Sequence, residues 1–413
     1  MADTAAPQGS DSTRPVPEYP QSRDGRCPFH PADTIRKLTV EDPVSKVRIW
    51  DGSTPWLVTR HADQRALLTD PRLSINEKLP NYPHMTQGRA EVAPYLPDLI
   101  TNTDAPEHTR LRRTVNAPFT VKRVEAMRPA IQKLVDDLID RMLAGPKPAD
   151  LVTRLGLPVP TLVISEMLGV PYSDHDFFQR CSNIAVSHTA TPEETREANG
   201  ALAEYLGELI DRKTADPAED VLSEMAGRVT AGEMTRQEAV IMGSAILIAG
   251  HETSASMISL GTLALLQNPE QLRLLQTTED PKVVAKAVEE LLRYLTIVHT
   301  GVRRIAVEDI EVGDQVIRAG DGVIFDVAAA NWDAEEFPEP EKLDLGRAAR
   351  QHHAFGYGAH QCLGQTLARV ELQVVFSTLY RRIPTLRLAV PFEEVEFAFE
   401  GVAYGLRSLP VTW

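Results

Sequence analysis

The stretch Phe355-Gly356-Tyr357-Gly358-Ala359-His360-Gln361-Cys362-Leu363-Gly364 delivers one thiol from a glycine-rich loop. It runs directly into Gln365-Thr366-Leu367-Ala368-Arg369-Val370-Glu371-Leu372, whose composition reads as helix. Cys362 therefore stands at a helix start, where the macrodipole favours thiolate over thiol. No second cysteine is near, which suits neither zinc nor an iron–sulfur cluster. One axial thiolate suits a haem iron. Gly356 and Gly358 permit a sharp turn and can aim amide N–H groups at the sulfur. Such bonds moderate the electron density the sulfur donates to iron. Gly364 lets the helix backbone approach a porphyrin, Phe355 covers the sulfur with apolar surface, and His360 can reach a haem propionate. A dinucleotide loop is excluded, because position 361 is Gln where that pattern needs its third glycine. An inert buried cysteine would leave the rest of the ten-residue pattern unexplained.

This loop resembles the haem-binding segment of the cytochrome P-450 family, Phe-Gly-x-Gly-x-His-x-Cys-x-Gly, at every fixed position. The likeness extends over most of the chain, residues 27 to 413. It implies the cytochrome P-450 fold, mainly α with a small β region (α+β). Haem (heme b) would be buried between a long central helix and the cysteine loop, with Cys362 as the axial ligand of its iron.

Bulk properties agree. The 413 residues are 43% hydrophobic, ample for a large core. A net charge of −15 and a pI near 5.3 argue against nucleic acid and anionic membrane surfaces as partners. Cys27, Cys181 and Cys362 form no disulfide framework, which fits a reducing, cytoplasmic setting. Residues 1–26, with Pro15, Pro17 and Pro20 among polar residues, read as a flexible tail without signal peptide or membrane anchor. Residues 27–413 read as a single, monomeric domain.

Apolar residues at helical spacing predict helices over 123–143, 159–168, 192–213, 238–266 and 281–295. Short strand-like runs fall at 46–50 with 55–59 as a hairpin, at 302–307, 311–317 and 322–327, and at 394–398 and 408–412. The helix over 238–266 opens with the capping box Thr235-x-x-Glu238. It is apolar enough to raise the question of a membrane span. His251, Glu252 and Thr253 at its centre argue instead for a helix through a large core, since one acid in mid-bilayer costs about 2.5–3.5 kcal/mol.

Ala249-Gly250-His251-Glu252-Thr253 puts polar groups inside that helix, where they need partners or a function. An acid beside an alcohol can relay protons, and Gly250 makes room for a ligand or a distortion. A water-satisfied polar patch explains these residues equally well on their own. The resemblance assigns them to the family's oxygen-activating motif, with Thr253 and Glu252 catalytic and Ala249 and Gly250 against the haem. His251-Glu252 lacks the second histidine of a zinc-protease helix, because position 255 is Ala. Helical phasing places Glu290 and Arg293 opposite an apolar face and so predicts exposure. The resemblance implies instead a buried structural pair under a later loop, with Arg347 as third member. It further implies that His108 and Arg112, one turn apart, bind haem propionates with Arg304 and His360. His352 ranks below these.

Thiolate, acid and alcohol together imply a monooxygenase that activates dioxygen. No flavin or nicotinamide motif is present, so two electrons come from outside. The resemblance implies a ferredoxin with an NAD(P)H-dependent ferredoxin reductase, docking near Arg110, Arg113 and Arg369. The segments it gives to substrate (74–100, 172–198, around Ile246 and Ala249, 297–299 and 402–404) are mainly apolar at the last three. They suit a lipophilic small molecule. Cys27-Pro28-Phe29-His30-Pro31 and the chain's ending resemble the actinomycete group that oxidises macrolides, secosteroids and xenobiotics. A peroxide-driven oxygenase would dispense with the electron partner, and a haem sensor or carrier would have no use for an acid–alcohol relay.

Overall fold

The computed structural model describes residues 15–23, 28–185, 191–399 and 403–413. Helices dominate: α1 (Asp33–Glu41), α2 (His61–Leu67), α3 (Gln87–Val92), α4 (Glu107–Val115), α5 (Val121–Ala144), α6 (Pro158–Leu168) and α7 (His175–Ala185). They continue as α8 (Pro192–Ala215), α9 (Val221–Thr230), α10 (Arg236–Gln267), α11 (Pro269–Thr277), α12 (Pro281–Leu295), α13 (Val327–Asn331) and α14 (Gln365–Arg382). All five expected helices are present, with ends moved by no more than two residues. Local chemistry sets several starts. Thr191 and Thr235 complete reciprocal capping boxes with Glu194 and Glu238, and Asp220 and Asp280 cap α9 and α12.

The strands are β1 (Val44–Lys46), β2 (Trp56–Val58), β3 (Leu73–Ser74), β4 (Ala149–Asp150), β5 (Val302–Ala306) and β6 (Ile310–Val312). Then follow β7 (Gln315–Ile317), β8 (Gly322–Phe325), β9 (Arg387–Leu388), β10 (Phe397–Ala398), β11 (Gly405–Leu406) and β12 (Pro410–Thr412). The main sheet has the order β1-β2-β8-β5-β3, with β2 and β8 parallel and the other pairs antiparallel. The run 311–317 is not one strand. It folds back as the hairpin β6–β7, because Gly313 at φ +56 turns the chain.

Helix α10 crosses the body and is buried along most of its C-terminal half. It meets α14 so closely that a β-carbon on Gly261 would lie 2.5 Å from the Phe376 ring. Among the described residues no helix is long and apolar enough to cross a membrane. One expectation needs correction. Residues 15–23 do not lie free: Tyr19 and Arg23 are buried, the Tyr19 N–H donates to the Arg48 carbonyl, and the Arg48 N–H donates to that of Pro17. Two side chains with apolar or planar surface are enough to dock a proline-rich stretch of otherwise polar composition. Cys27 and residues 1–14 lie outside the described residues.

Candidate active site

The cysteine loop is built from two left-handed glycines, Gly356 at φ +69 and Gly358 at φ +77. A β-carbon on Gly358 would sit 2.6 Å from the Leu68 carbonyl oxygen, so only glycine fits. The Cys362 N–H donates to the Phe355 carbonyl at 2.8 Å and closes the loop. The amides that approach the sulfur are those of Gly364 and Gln365, not of Gly356 and Gly358. The physical reason is position: the first N–H groups of a helix have no carbonyl partner within it. Burial pushes the Cys362 thiol up, and those two amides, Arg112 and Arg369 act against it. Yet Cys362 is accessible. A group deep in the protein that is still accessible faces an internal void. A β-carbon on Gly364 would meet no protein atom within 4 Å, so a flat group can lie against this helix start.

Beside the loop stand the cations. His108 on α4 packs its ring 4.1 Å from that of His360. Arg112 donates to the Gln361 carbonyl at 2.8 Å and to Asn116 Oδ1 at 3.2 Å. Arg304, on β5, is buried and among the described residues donates only to the neighbouring Arg303 carbonyl. Burial pulls the pKa of both arginines down, and among the described residues neither has a carboxylate in ion-pair contact. His108 Nε2 is buried without a hydrogen-bond partner. A guanidinium as buried as that of Arg304 is unfavourable by several kcal/mol without a counter-charge, and half-buried Arg112 adds a second cation beside it. The cluster therefore fits an anionic group such as a pair of haem propionates. His360 fits less well as a donor. Burial and the Arg304 charge lower it to about 4, so its ring is neutral at pH 7, and Nδ1 faces the Ile100 carbonyl at 3.1 Å. That carbonyl takes its only proton, leaving Nε2 as an acceptor.

On α10, Ile248 and Ala249 are exposed although they sit mid-helix, so they too face a void. Thr253 lies one turn on, half-buried, and its hydroxyl donates to the Ala249 carbonyl at 2.7 Å. Glu252 is half-buried beside it. Gly250 opens the other side: an added β-carbon would meet Ile164 of α6 at 3.5 Å, and the helix stays continuous through it. His251 is fully buried against α6, with Nδ1 2.9 Å from Thr161 Oγ1. Since Thr161 donates its own hydrogen to Leu157, His251 carries its proton on Nδ1. Glu371 on α14 escaped the sequence reading. It is buried, hydrogen-bonded to Ser254, and pushed up by burial to about 7. The available signal was an acid between Val370 and Leu372 in a core helix.

The comparisons with known proteins point one way. The family model for cytochrome P-450 matches residues 197–385. Cytochrome P-450 GfsF of Streptomyces halstedii is 54% identical over 100% of both chains. Its crystal structure superposes with a TM-score of 0.92 at 55% identity, covering 96% of this chain and 100% of that one. The vitamin D3 dihydroxylase of Streptomyces griseolus is 43% identical over 100% of both chains. Pentalenic acid synthase of Streptomyces avermitilis is 44% identical over 98% of this chain and 99% of its own.

The chain belongs to the cytochrome P-450 family. It is a haem monooxygenase of the bacterial, actinomycete type, and the family carries haem with a cysteine thiolate as iron ligand. In this P-450 the loop is braced from behind by α12. Arg293 and Glu290 are both fully buried and joined by two bonds of 2.7 and 2.8 Å, and Arg347 adds a third at 3.2 Å. Glu289, which the sequence reading passed over, binds Arg369 at 2.6 Å and His352 at 3.1 Å. Arg369 also lies 4.5 Å over the Phe355 ring. Two expectations are corrected here. His352 faces Glu289 rather than the propionate cluster, and Arg369 is internally paired rather than turned toward a partner protein.

Proposed function

We propose that Cys362 supplies the thiolate, with Arg112, Arg304 and His108 holding the haem carboxylates and His360 seating that cluster. The carrying observation is the void-facing sulfur beside half-buried Arg112, together with buried Arg304, neither of which has a carboxylate in ion-pair contact among the described residues. Phe355, Gly356, Gly364 and Ala249 shape the slot, and Gly250 lets α6 pack behind it. When bound, the haem activates dioxygen, so that one oxygen atom enters a C–H or C=C bond and the other leaves as water. Thr253 presents lone pairs to the void, because its hydrogen is committed to Ala249. It therefore orients a water, and Glu252 exchanges protons with it. The two electrons come from a ferredoxin and its NAD(P)H-dependent reductase. The substrate is a lipophilic small molecule, consistent with apolar Ile248, Ala249 and Ile297 and with relatives named for vitamin D3 and pentalenic acid.

The test is spectroscopic. Reduced protein under carbon monoxide should absorb at the red-shifted position typical of thiolate ligation, and Cys362→Ser should lose that band. A normal band in the variant overturns the assignment.

A further inference from the structure

We infer that Arg23 is a positioning residue for substrate selection, acting by locking two wall segments of the void together. The inference rests on the reading of 297–299 and 403–404 as substrate-facing. Arg23 is buried although it lies in a proline-rich stretch far from the active site in sequence. Its Nη1 donates to the carbonyls of Phe29 at 3.1 Å and Leu295 at 2.9 Å, and its Nη2 donates to that of Thr296 at 2.6 Å. The guanidinium also stacks 4.4 Å over the ring of Tyr404.

These contacts meet at one junction. Leu295 ends α12, and the last carbonyls of a helix have no partner within it and carry its negative pole. Thr296 leaves the helix at φ +31, a left-handed turn that a non-glycine residue holds only under constraint. From there the chain runs into Ile297, whose carbonyl accepts the Tyr404 N–H at 2.7 Å, while Val298 bridges Ala403. Arg23 therefore grips the first segment through its helix end and the second through an aromatic face. A planar guanidinium can do both at once, whereas an ammonium cannot. His299 ties into this same region, with Nε2 3.0 Å from the Phe399 carbonyl. Without Arg23 the Leu295 and Thr296 carbonyls lose their donor and Tyr404 loses its cationic face contact, so the wall shifts while Cys362 and its surroundings stay put.

The experiment compares imidazole with 4-phenylimidazole as probes of the haem protein, each titrated by its Soret shift. The two probes share one ligating ring and differ by a phenyl group, the apolar surface that the wall would select on. In Arg23→Gln and Arg23→Lys, the ratio of the two dissociation constants should rise roughly tenfold, the scale of a small misfit in an apolar pocket. Imidazole affinity and the carbon monoxide band should hold. Amide hydrogen exchange should quicken in 296–299 and 403–406 and not in α10. An unchanged ratio in whichever variant retains haem overturns the proposal. Loss of haem by both variants also overturns it, making Arg23 a folding residue. A wild type that shifts with neither azole sinks the haem reading instead.

Discussion

Thr253 controls where a proton is held, and its geometry says how. With its hydrogen committed to Ala249 at 2.7 Å, its oxygen can only accept from the void side. Thr253→Ala removes that acceptor and leaves Cys362, Arg112 and Arg304 in place. Substrate-induced Soret shifts should persist, product per NADPH should fall at least roughly tenfold, since positioned proton transfer contributes about 10²–10⁴-fold, and hydrogen peroxide should rise. Thr253→Ser should keep coupling. Wild-type coupling in Thr253→Ala would remove the residue from proton delivery. The cations make a parallel case. Arg110 sits on the surface between Glu107 and Glu238, whereas Arg304 is buried with no carboxylate in ion-pair contact among the described residues. Haem transfer to apomyoglobin should quicken at least roughly tenfold in Arg304→Gln and Arg112→Gln, since a charged hydrogen bond contributes about 1.5–3 kcal/mol. Arg110→Gln should match wild type, and equal acceleration in all three would cancel the distinction. The pattern around Cys362 and the family resemblance singled these residues out in the sequence. The engagement of His360 by Ile100 and of His352 by Glu289 was not legible there, because neither partner is local.

At the scale of the element, α12 shows where periodicity misleads. Phasing counts one apolar face, so it puts Glu290 and Arg293 in solvent. In the fold every residue from Glu290 to Leu295 is buried, because the segment carrying Pro340, Asp344 and Arg347 covers the second face and bonds to the pair. The helix itself was legible to the residue from its apolar spacing, and the fold caps its start with Asp280 and ends it at left-handed Thr296. Its neighbour Glu289 yields a pH prediction. Burial pushes that carboxyl up, but the His352 and Arg369 bonds overcome it and take it down to about 2. A folded pKa below the ordinary 4.5 means the contribution is whole above that pH and is lost as pH falls toward 2. At about 1.4 kcal/mol per pKa unit, the loss across that window is about 3 kcal/mol. Glu289→Gln should be destabilised by about this amount at pH 7 and should show a flatter stability profile from pH 5 to 3. Denaturant unfolding at both pH values measures it. Parallel profiles for the two proteins would assign the acid sensitivity to other groups.

Over the whole molecule, a net charge of −15 sets the terms for electron delivery. An acidic ferredoxin is repelled at long range, so docking has to rest on a local cationic surface within a Debye length, about 10 Å at 0.1 M salt. The sequence pointed to Arg110, Arg113 and Arg369 as that surface. The fold neutralises two of them, Arg110 with Glu107 and Glu238 and Arg369 with Glu289. Sequence spacing shows where cations fall along a helix but not which acid the tertiary structure brings to each. Arg113 is left: it is exposed, makes no ion pair among the described residues, and shares a surface hollow with Arg228. It is one residue past the inward-facing Arg112, and a helix turns that single step to the outside. Arg113→Glu should therefore slow reduction by a ferredoxin roughly three- to tenfold at low salt, the lower end of what steering by charge supplies. The deficit should shrink as salt rises, because an exposed charge acts mainly on the association rate and is screened. Azole binding and the carbon monoxide band should match wild type, since Arg113 does not touch the void. Stopped-flow reduction across a salt series reads the effect, and equal low-salt rates for variant and wild type would move the docking surface off α4.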